Sequence, residues 1–399
     1  MATPLTPLPP RFDGTDPEVI RDPYPSYARL RAIGPVCRFG AQQYGVTRYA
    51  DVSALLRDSR LRKYAISEDY YRLAARGGTA SAFFARMDIA RGSAELRRAL
   101  TQAVSRSTVA GLAPTVDRLI DELLEPLLDG GGEAVADLAQ PLAHAVLCAL
   151  VGVPAADRAA VRERVSVLSV FGDAVMLGRA DHAPADAALS WLREHVASLL
   201  AERARRPADD LLTRLAALAT TEEIRNQAID QVLTLLYAGS DTTANLIATG
   251  ISALAERPDE FARLRAAPAL ATPAVEEFLR FDAPIQVTTR VADHPVTIGD
   301  RSIRAGRILV LMLGSANRDP QRFAEPDRID IGRTPNPHVS FGGGGFYCFG
   351  APLARAQAVA VFDALSRRCA ALEPRAPAQR AAQFNFRAFR TVPVTCVPA

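Results

Sequence analysis

The sequence predicts a mainly α chain with small β-sheets, organised as one domain over residues 1–399. Apolar residues recur at helical spacing almost without a break from about 112 to 219. Only Gly130-Gly131-Gly132, Gly152-Val153-Pro154, Gly172 and Pro184 punctuate that region. A longer periodic stretch follows over about 222–256. Strand-like alternation is confined to about 35–48, 285–312 and 384–397, too little for a β fold. No Gly/Ser-rich linker divides the 399 residues, and 49% hydrophobic content is ample for a single core.

Composition narrows the function classes. A net charge of +3 gives no footprint for nucleic acid. Lys63 is the only lysine, a bias of composition without chemical meaning. Residues 1–10 are proline-rich and lack a positive-then-apolar signal pattern. No run of about eighteen apolar residues stands out, so no membrane span is expected, and the reading is a cytoplasmic monomer. The five cysteines, Cys37, Cys148, Cys348, Cys369 and Cys396, are odd in number and scattered, which argues against a disulfide framework.

In chain order, residues 1–20 read as an extended arm, and Asp22-Pro23-Tyr24-Pro25 starts a helix through Leu30. Residues 36–39 and 44–47 form a hairpin, followed by a helix over 49–56. The stretch 60–90 reads as a long irregular loop carrying Tyr64, Tyr70, Tyr71, Phe83 and Phe84. A helix around Leu96, Leu100 and Val104 carries Arg97 and Arg98. No strand is expected within 112–219, and His144, His182, Trp191 and His195 there read as packing or surface residues. The helix over 222–256 would span about 50 Å at 1.5 Å per residue, starting after Thr221. Ala238-Gly239-Ser240-Asp241-Thr242-Thr243 lies in its middle. Small and hydroxylated residues are poor choices there on packing alone. They leave space beside the helix and supply an acid and a hydroxyl. A helix over 273–281 places Glu277 and Arg280 on one face. Strands follow over 285–292, 296–298, 302–303 and 307–313, then a proline-broken stretch over 316–333. A final strand pair is expected over 384–393.

The chemistry concentrates in Phe341-Gly342-Gly343-Gly344-Gly345-Phe346-Tyr347-Cys348-Phe349-Gly350. Four consecutive glycines hold no regular element but let a backbone lie flat. Cys348 stands where that loop passes into a helical run beginning at Pro352. Amide groups at a helix start favour negative charge, hence a thiolate. A flat loop and one thiolate suggest haem. The alternatives are a structural cysteine, a nucleophile paired with His338, and one ligand of a zinc site lacking any Cys-x-x-Cys or His-x-x-x-His partner.

Phe341, Gly342, Gly344, Cys348 and Gly350 resemble the haem-binding loop of the cytochrome P-450 superfamily, Phe-Gly-x-Gly-x-His/Arg-x-Cys-x-Gly, with Phe346 at the usual basic position. Ala238-Gly239-Ser240-Asp241-Thr242 is similar to that family's oxygen-activation motif, and Glu277-Phe278-Leu279-Arg280 to its buried Glu-x-x-Arg. The likeness spans nearly the whole chain. It implies a triangular prism of about a dozen helices, with haem b between the long central helix and the helix after the cysteine. It implies Cys348 as axial ligand, Asp241 and Thr242 as the proton-handling pair, and Ala238 and Gly239 beside the haem. Propionate contacts are implied at Arg97 and Arg290. A second departure is Ser93, where the family commonly has histidine. With Phe346 also changed, propionate binding is expected to fall on Arg97 and Arg290, with weaker haem retention or a shifted reduction potential.

The resemblance further implies a bacterial monooxygenase that hydroxylates or epoxidises a small organic substrate, free or carrier-tethered, in secondary metabolism. Aryl coupling, cyclisation or desaturation by the same iron chemistry, and ligand binding without turnover, are the alternatives. Electrons are expected from a separate ferredoxin or flavodoxin with its reductase. A basic patch of Arg97, Arg98, Arg355, Arg367 and Arg368 is expected to steer that partner. Leu235, Ala238, Ile285, Gln286, Val287, Phe384 and Phe386 are expected to line the substrate pocket, with Gln286 and Asn385 as polar handles.

Overall fold

The protein is described by a computed structural model over residues 9–62, 78–87, 93–176 and 181–399. It begins with α1 (Pro17–Arg21), α2 (Tyr24–Ile33), β1 (Val36–Arg38), β2 (Gln43–Val46) and α3 (Tyr49–Arg57). Helices α4 (Thr79–Arg86), α5 (Ala94–Ala103), α6 (Arg106–Gly111) and α7 (Ala113–Leu128) follow. After β3 (Gly132–Glu133) come α8 (Gln140–Val151), α9 (Arg158–Met176), α10 (His182–Arg205) and α11 (Leu211–Leu218). Then come the long α12 (Glu222–Ala255), α13 (Pro258–Ala266) and α14 (Ala271–Phe281). Strands β4 (Val287–Val291), β5 (Val296–Ile298), β6 (Arg301–Ile303) and β7 (Ile308–Met312) precede α15 (Leu313–Asn317) and α16 (Ala351–Arg368). The chain closes with β8 (Cys369–Pro374), β9 (Gln379–Arg380), β10 (Phe389–Thr391) and β11 (Pro393–Pro398).

Helix α12 organises the packing. Thr221 Oγ1 accepts the Ile224 amide at 3.2 Å, and Glu222 and Glu223 sit in the positive first turn. Almost every residue from Ala228 to Ala255 is buried, as expected of a helix that crosses a core. At Gly250 an added Cβ would come within 2.2 Å of Phe362 and 2.6 Å of Phe278. Only glycine lets α14 and α16 press onto α12 at one level.

The main sheet has the order β1-β2-β7-β4. Its β2–β7 pair is parallel and the other two pairs are antiparallel. A second sheet, β3-β11-β8, brings the C-terminal strand against the start of the α8 region.

Several expectations are corrected. The N-terminal arm contains α1. Residues Thr79–Arg86 are helical, and Phe83 and Phe84 are buried there against Phe171 and Tyr237. Tyr64, Tyr70 and Tyr71 lie outside the described residues. Strand β3 breaks the run expected to be wholly helical, and β8 continues directly from α16. Ala134–Val151 is long and apolar enough to cross a membrane, with mean hydropathy 1.6, but 67% of it is buried in the helical core.

Two buried ionic clusters tie distant segments together. Asp282 accepts from the Tyr24 hydroxyl (2.7 Å), Arg387 (3.2 Å) and Arg380, and Arg387 also donates to the carbonyls of Ile20 and Arg21. This knots both ends of the chain to α14. In the second, Arg280 and Glu277 form a two-pronged pair at 2.7 and 2.8 Å, both side chains fully buried. Arg280 also donates to the carbonyls of Asn317, Pro326 and Arg328. Glu277 also accepts from Arg333, Asn336 and the Asp330 amide. Truncating Arg280 would leave a buried carboxylate partly uncompensated. Arg280→Ala is therefore expected to lower unfolding stability by about 3–5 kcal/mol in urea titrations.

Candidate functional site

Accessibility along α12 marks the site. Within its buried length, Ala238 is exposed and Gly239, Asp241 and Thr242 are half-buried. Leu235, Ala238 and Thr242 share one helix face, so a space opens onto the middle of the helix rather than its end. Thr242 Oγ1 donates to the Ala238 carbonyl at 2.7 Å, which keeps both hydroxyl lone pairs available. Burial raises the Asp241 carboxyl above its ordinary value. The nearby Ser169 hydroxyl on α9 acts in the opposite sense but falls short of hydrogen-bond geometry. Gly239 answers to packing: a Cβ there would stand 2.9 Å from Leu147 on α8. Ala238, which is exposed, is the residue whose small side chain leaves the space open.

The opposite face of α12 is closed by His144. Its Nδ1 lies 3.3 Å from Ser240 Oγ and its Nε2 2.9 Å from the Arg158 carbonyl. Burial pushes its pKa down to about 4, so it is a neutral packing residue.

The glycine loop folds back on itself. The Cys348 amide donates to the Phe341 carbonyl (2.8 Å) and the Gly342 amide to the Val339 carbonyl (2.8 Å). Gly342 (φ 74°) and Gly344 (φ 62°) adopt the left-handed conformation that favours glycine. A Cβ on Gly344 would also meet the Leu56 carbonyl at 2.7 Å, so the loop lies flat against the end of α3. Cys348 is exposed and outside any disulfide, just before α16. The loop is anchored from α14. Glu276 accepts from Arg355 at 2.7 and 2.8 Å and lies 2.9 Å from His338 Nε2. Arg355 also donates to the Tyr347 hydroxyl and covers the Phe341 ring at 4.4 Å. His338 Nδ1 accepts the Ser340 amide, so both its nitrogens are engaged and it is not the partner of Cys348. Among the described residues there is no cluster fit to hold a zinc ion.

Arg290, on β4, is buried to 2% exposure. It donates to the Thr289 carbonyl at 2.9 Å, its Nε has no partner, and no carboxylate pairs with it among the described residues. Burial alone depresses its pKa to about 10. A buried cation left unpaired by protein groups fits an anionic cofactor edge. Combined with the opening on α12 and the exposed Cys348, the residues present suit a haem. Arg97 is exposed on α5, and Ser93 caps that helix by accepting the Leu96 amide at 3.2 Å.

Not every expected pocket residue faces this space. Leu235 and Phe386 join the helical core, with Phe386 edge-on to Tyr237 at 6.1 Å, and Ile285 is half-buried beside it. Gln286 is fully buried elsewhere: it accepts from the Tyr27 hydroxyl (3.1 Å) and donates to the Ala283 carbonyl (2.8 Å). Phe384 stacks in a separate cluster with Phe12 and Phe39, and Val287 packs in the same cluster. Asn385 Oδ1 accepts the Val287 amide. Gln286, Val287, Phe384 and Asn385 are thus corrected to structural residues. The sequence reading missed Asp173 on α9, whose carboxylate accepts the amides of Phe384, Asn385 and Phe386 at 3.3, 3.0 and 3.5 Å. It also missed the Glu276–Arg355 tie. Neither has a local motif, because the partners lie far apart in the chain.

Comparison with known proteins agrees with this geometry. The Cytochrome P450 family model matches residues 269–375. Cytochrome P450-SU2 of Streptomyces griseolus is 36% identical over 87% of this chain and 86% of its own length. The crystal structure of CalO2 superposes with a TM-score of 0.87 at 32% identity, covering 97% of this chain and 99% of that one. P450BioI, in complex with an acyl carrier protein bearing hexadec-9Z-enoic acid, gives a TM-score of 0.85 at 29% identity, covering 95% and 100%. The chain belongs to the cytochrome P450 family and has its fold. It is a monooxygenase of that family that uses haem b. The expected dozen helices become sixteen among the described residues, the surplus being short pieces such as Pro17–Arg21 and Leu313–Asn317.

Burial would raise the Glu276 carboxyl, but Arg355 and His338 more than offset it and hold it at about 2, below its ordinary 4.5. A depressed carboxylate contributes stability above its unfolded value and loses it as pH falls through its folded one. Glu276→Gln is expected to be about 1–3 kcal/mol less stable than the parent at neutral pH. That difference should shrink as pH falls from about 4.5 towards 2, as read by urea titrations at each pH.

Proposed function

We propose that Cys348 Sγ would bind the haem iron and that Asp241 and Thr242 would handle the protons that the reaction consumes. The observation that carries this reading is the opening in a buried helix at an acid–hydroxyl pair. Haem held by a thiolate supplies the activation and O–O cleavage of dioxygen. Asp241 has no basic partner among the described residues, and its raised pKa keeps a proton on the carboxyl to higher pH. Thr242 Oγ1, anchored by its donation to the Ala238 carbonyl, keeps its lone pairs free to accept a hydrogen bond and steady the donor there. Ala238, with Leu235 on the same helix face, gives the space an apolar edge that orients substrate and excludes water. Arg290 and Arg97 hold the propionates, while Phe341, Gly342, Gly344, Phe346 and Gly350 shape the loop beneath.

The reaction we assign is oxygen insertion, as hydroxylation or epoxidation, into a small organic substrate of secondary metabolism. The carrier complex of P450BioI supports a carrier-tethered substrate as one form. Two electrons come from a separate ferredoxin or flavodoxin with its reductase. Its steering patch is smaller than the composition implies. Arg355 pairs with Glu276, Arg367 with Asp363, and Arg368 with Asp121 and Glu125. Exposed Arg98 makes no ion pair among the described residues and remains for docking.

In Cys348→Ser the reduced, carbon-monoxide-bound spectrum is expected to lose its thiolate band; a spectrum unchanged from the parent would defeat the ligand assignment. Thr242→Ala, assayed with surrogate redox partners and a substrate panel, is expected to lower product formation about 10²-fold. Its NADPH consumption should divert to hydrogen peroxide. A product heavier than substrate by one oxygen supports insertion, and a product lacking it points to coupling or desaturation.

A further inference from the structure

We infer that Phe346 is a positioning residue for Arg290, its ring holding the buried guanidinium in place to meet a haem propionate. This rests on the haem reading above and goes beyond it by giving a role to the residue that departs from the family motif. The Arg290 Cζ lies 4.8 Å from the centroid of the Phe346 ring. That is within the range of about 6 Å at which an aromatic face attracts a cation. The guanidinium has little else. Its Nη1 donates to the Thr289 carbonyl at 2.9 Å and approaches Thr288 Oγ1 at 3.5 Å, and its Nε is orphaned. Those hydrogen bonds tether only one edge of the fork. The ring supplies the missing constraint.

Backbone geometry fixes the ring in turn. Phe346 ends a short helical turn, Gly344–Phe346, closed by the Tyr347 amide on the Gly344 carbonyl at 3.2 Å. Gly344 is pressed against the end of α3, so the turn cannot slide. A basic side chain at half-buried position 346 would bring a second positive charge beside Arg290. Phenylalanine brings the negative face of a π system instead. On this reading Phe346 compensates for the missing cation by orienting Arg290.

The test measures the rate of haem transfer from the ferric holoprotein to excess apomyoglobin. Phe346→Leu keeps apolar bulk but removes the aromatic face, and is expected to release haem about 3- to 30-fold faster. Phe346→Tyr keeps the face and should stay within about 2-fold of the parent. In an Arg290→Leu background, Phe346→Leu should add nothing, because the ring then has no cation to hold. Resonance Raman propionate modes should shift in Phe346→Leu and not in Phe346→Tyr. Should Phe346→Leu fail to take up haem, Phe346→Met serves in its place. Unchanged release in the aliphatic variant overturns the inference, as does equal acceleration with and without Arg290, which would mean plain packing. The parent's carbon-monoxide spectrum, recorded in parallel, reports separately on Cys348: a parent without the thiolate band fails the underlying reading, whatever the variants do.

Discussion

Two adjacent glutamates on α14 set the position of the glycine–cysteine loop. Glu277 spends all its hydrogen-bonding capacity on Arg280, Arg333, Asn336 and the Asp330 amide, which pins the irregular stretch before the glycine loop. Glu276, one residue earlier, reaches forward to His338 and Arg355, which bracket the loop on either side. The loop's own hydrogen bonds close local turns, and its placement is fixed by this helix and by the end of α3. A buried ion pair adds little net stability against an apolar replacement, but it specifies geometry, since its partners tolerate few arrangements. In a loop with four consecutive glycines, specification is the useful property.

The central helix meets the opposite requirement. It must be tightly packed to cross the core, yet open at one level. The sequence solves both within five residues. Gly239 admits Leu147 on one side, Ser240 turns towards His144 on another, and Ala238 with Thr242 faces the space. Small side chains there serve packing and chemistry in different directions. A single explanation for Ala238-Gly239 was therefore too simple.

What was legible in the sequence was local. The long helix, its start at Thr221, the Glu277–Arg280 pair and the glycine–cysteine loop each depend on residues within a few positions of one another. What was illegible depends on distant partners. Gln286 looks like a polar handle for substrate until Tyr24 and Tyr27, some 260 residues earlier, claim it. Phe384 looks like a pocket residue until Phe12 and Phe39 stack on it. Strand β3 is two residues long and exists only because β11 arrives beside it. No periodicity within 112–219 could announce a ladder whose other half begins at Pro393.

The two departures from the family pattern differ in consequence because they lie in different dielectric settings. Ser93 stands at the solvent-facing start of α5, where it caps the helix, and its neighbour Arg97 is exposed. Charges there are screened, and losing a histidine changes the local field little. Phe346 stands beside Arg290, which is buried and depressed in pKa by desolvation alone. In such a setting an unpaired cation interacts strongly with whatever is brought near it. An aromatic face is tolerated and even favourable there, whereas a second cation would require a second anion in fixed register. The chain places its neutral substitution where charge matters most and leaves the weakly acting position to a capping hydroxyl.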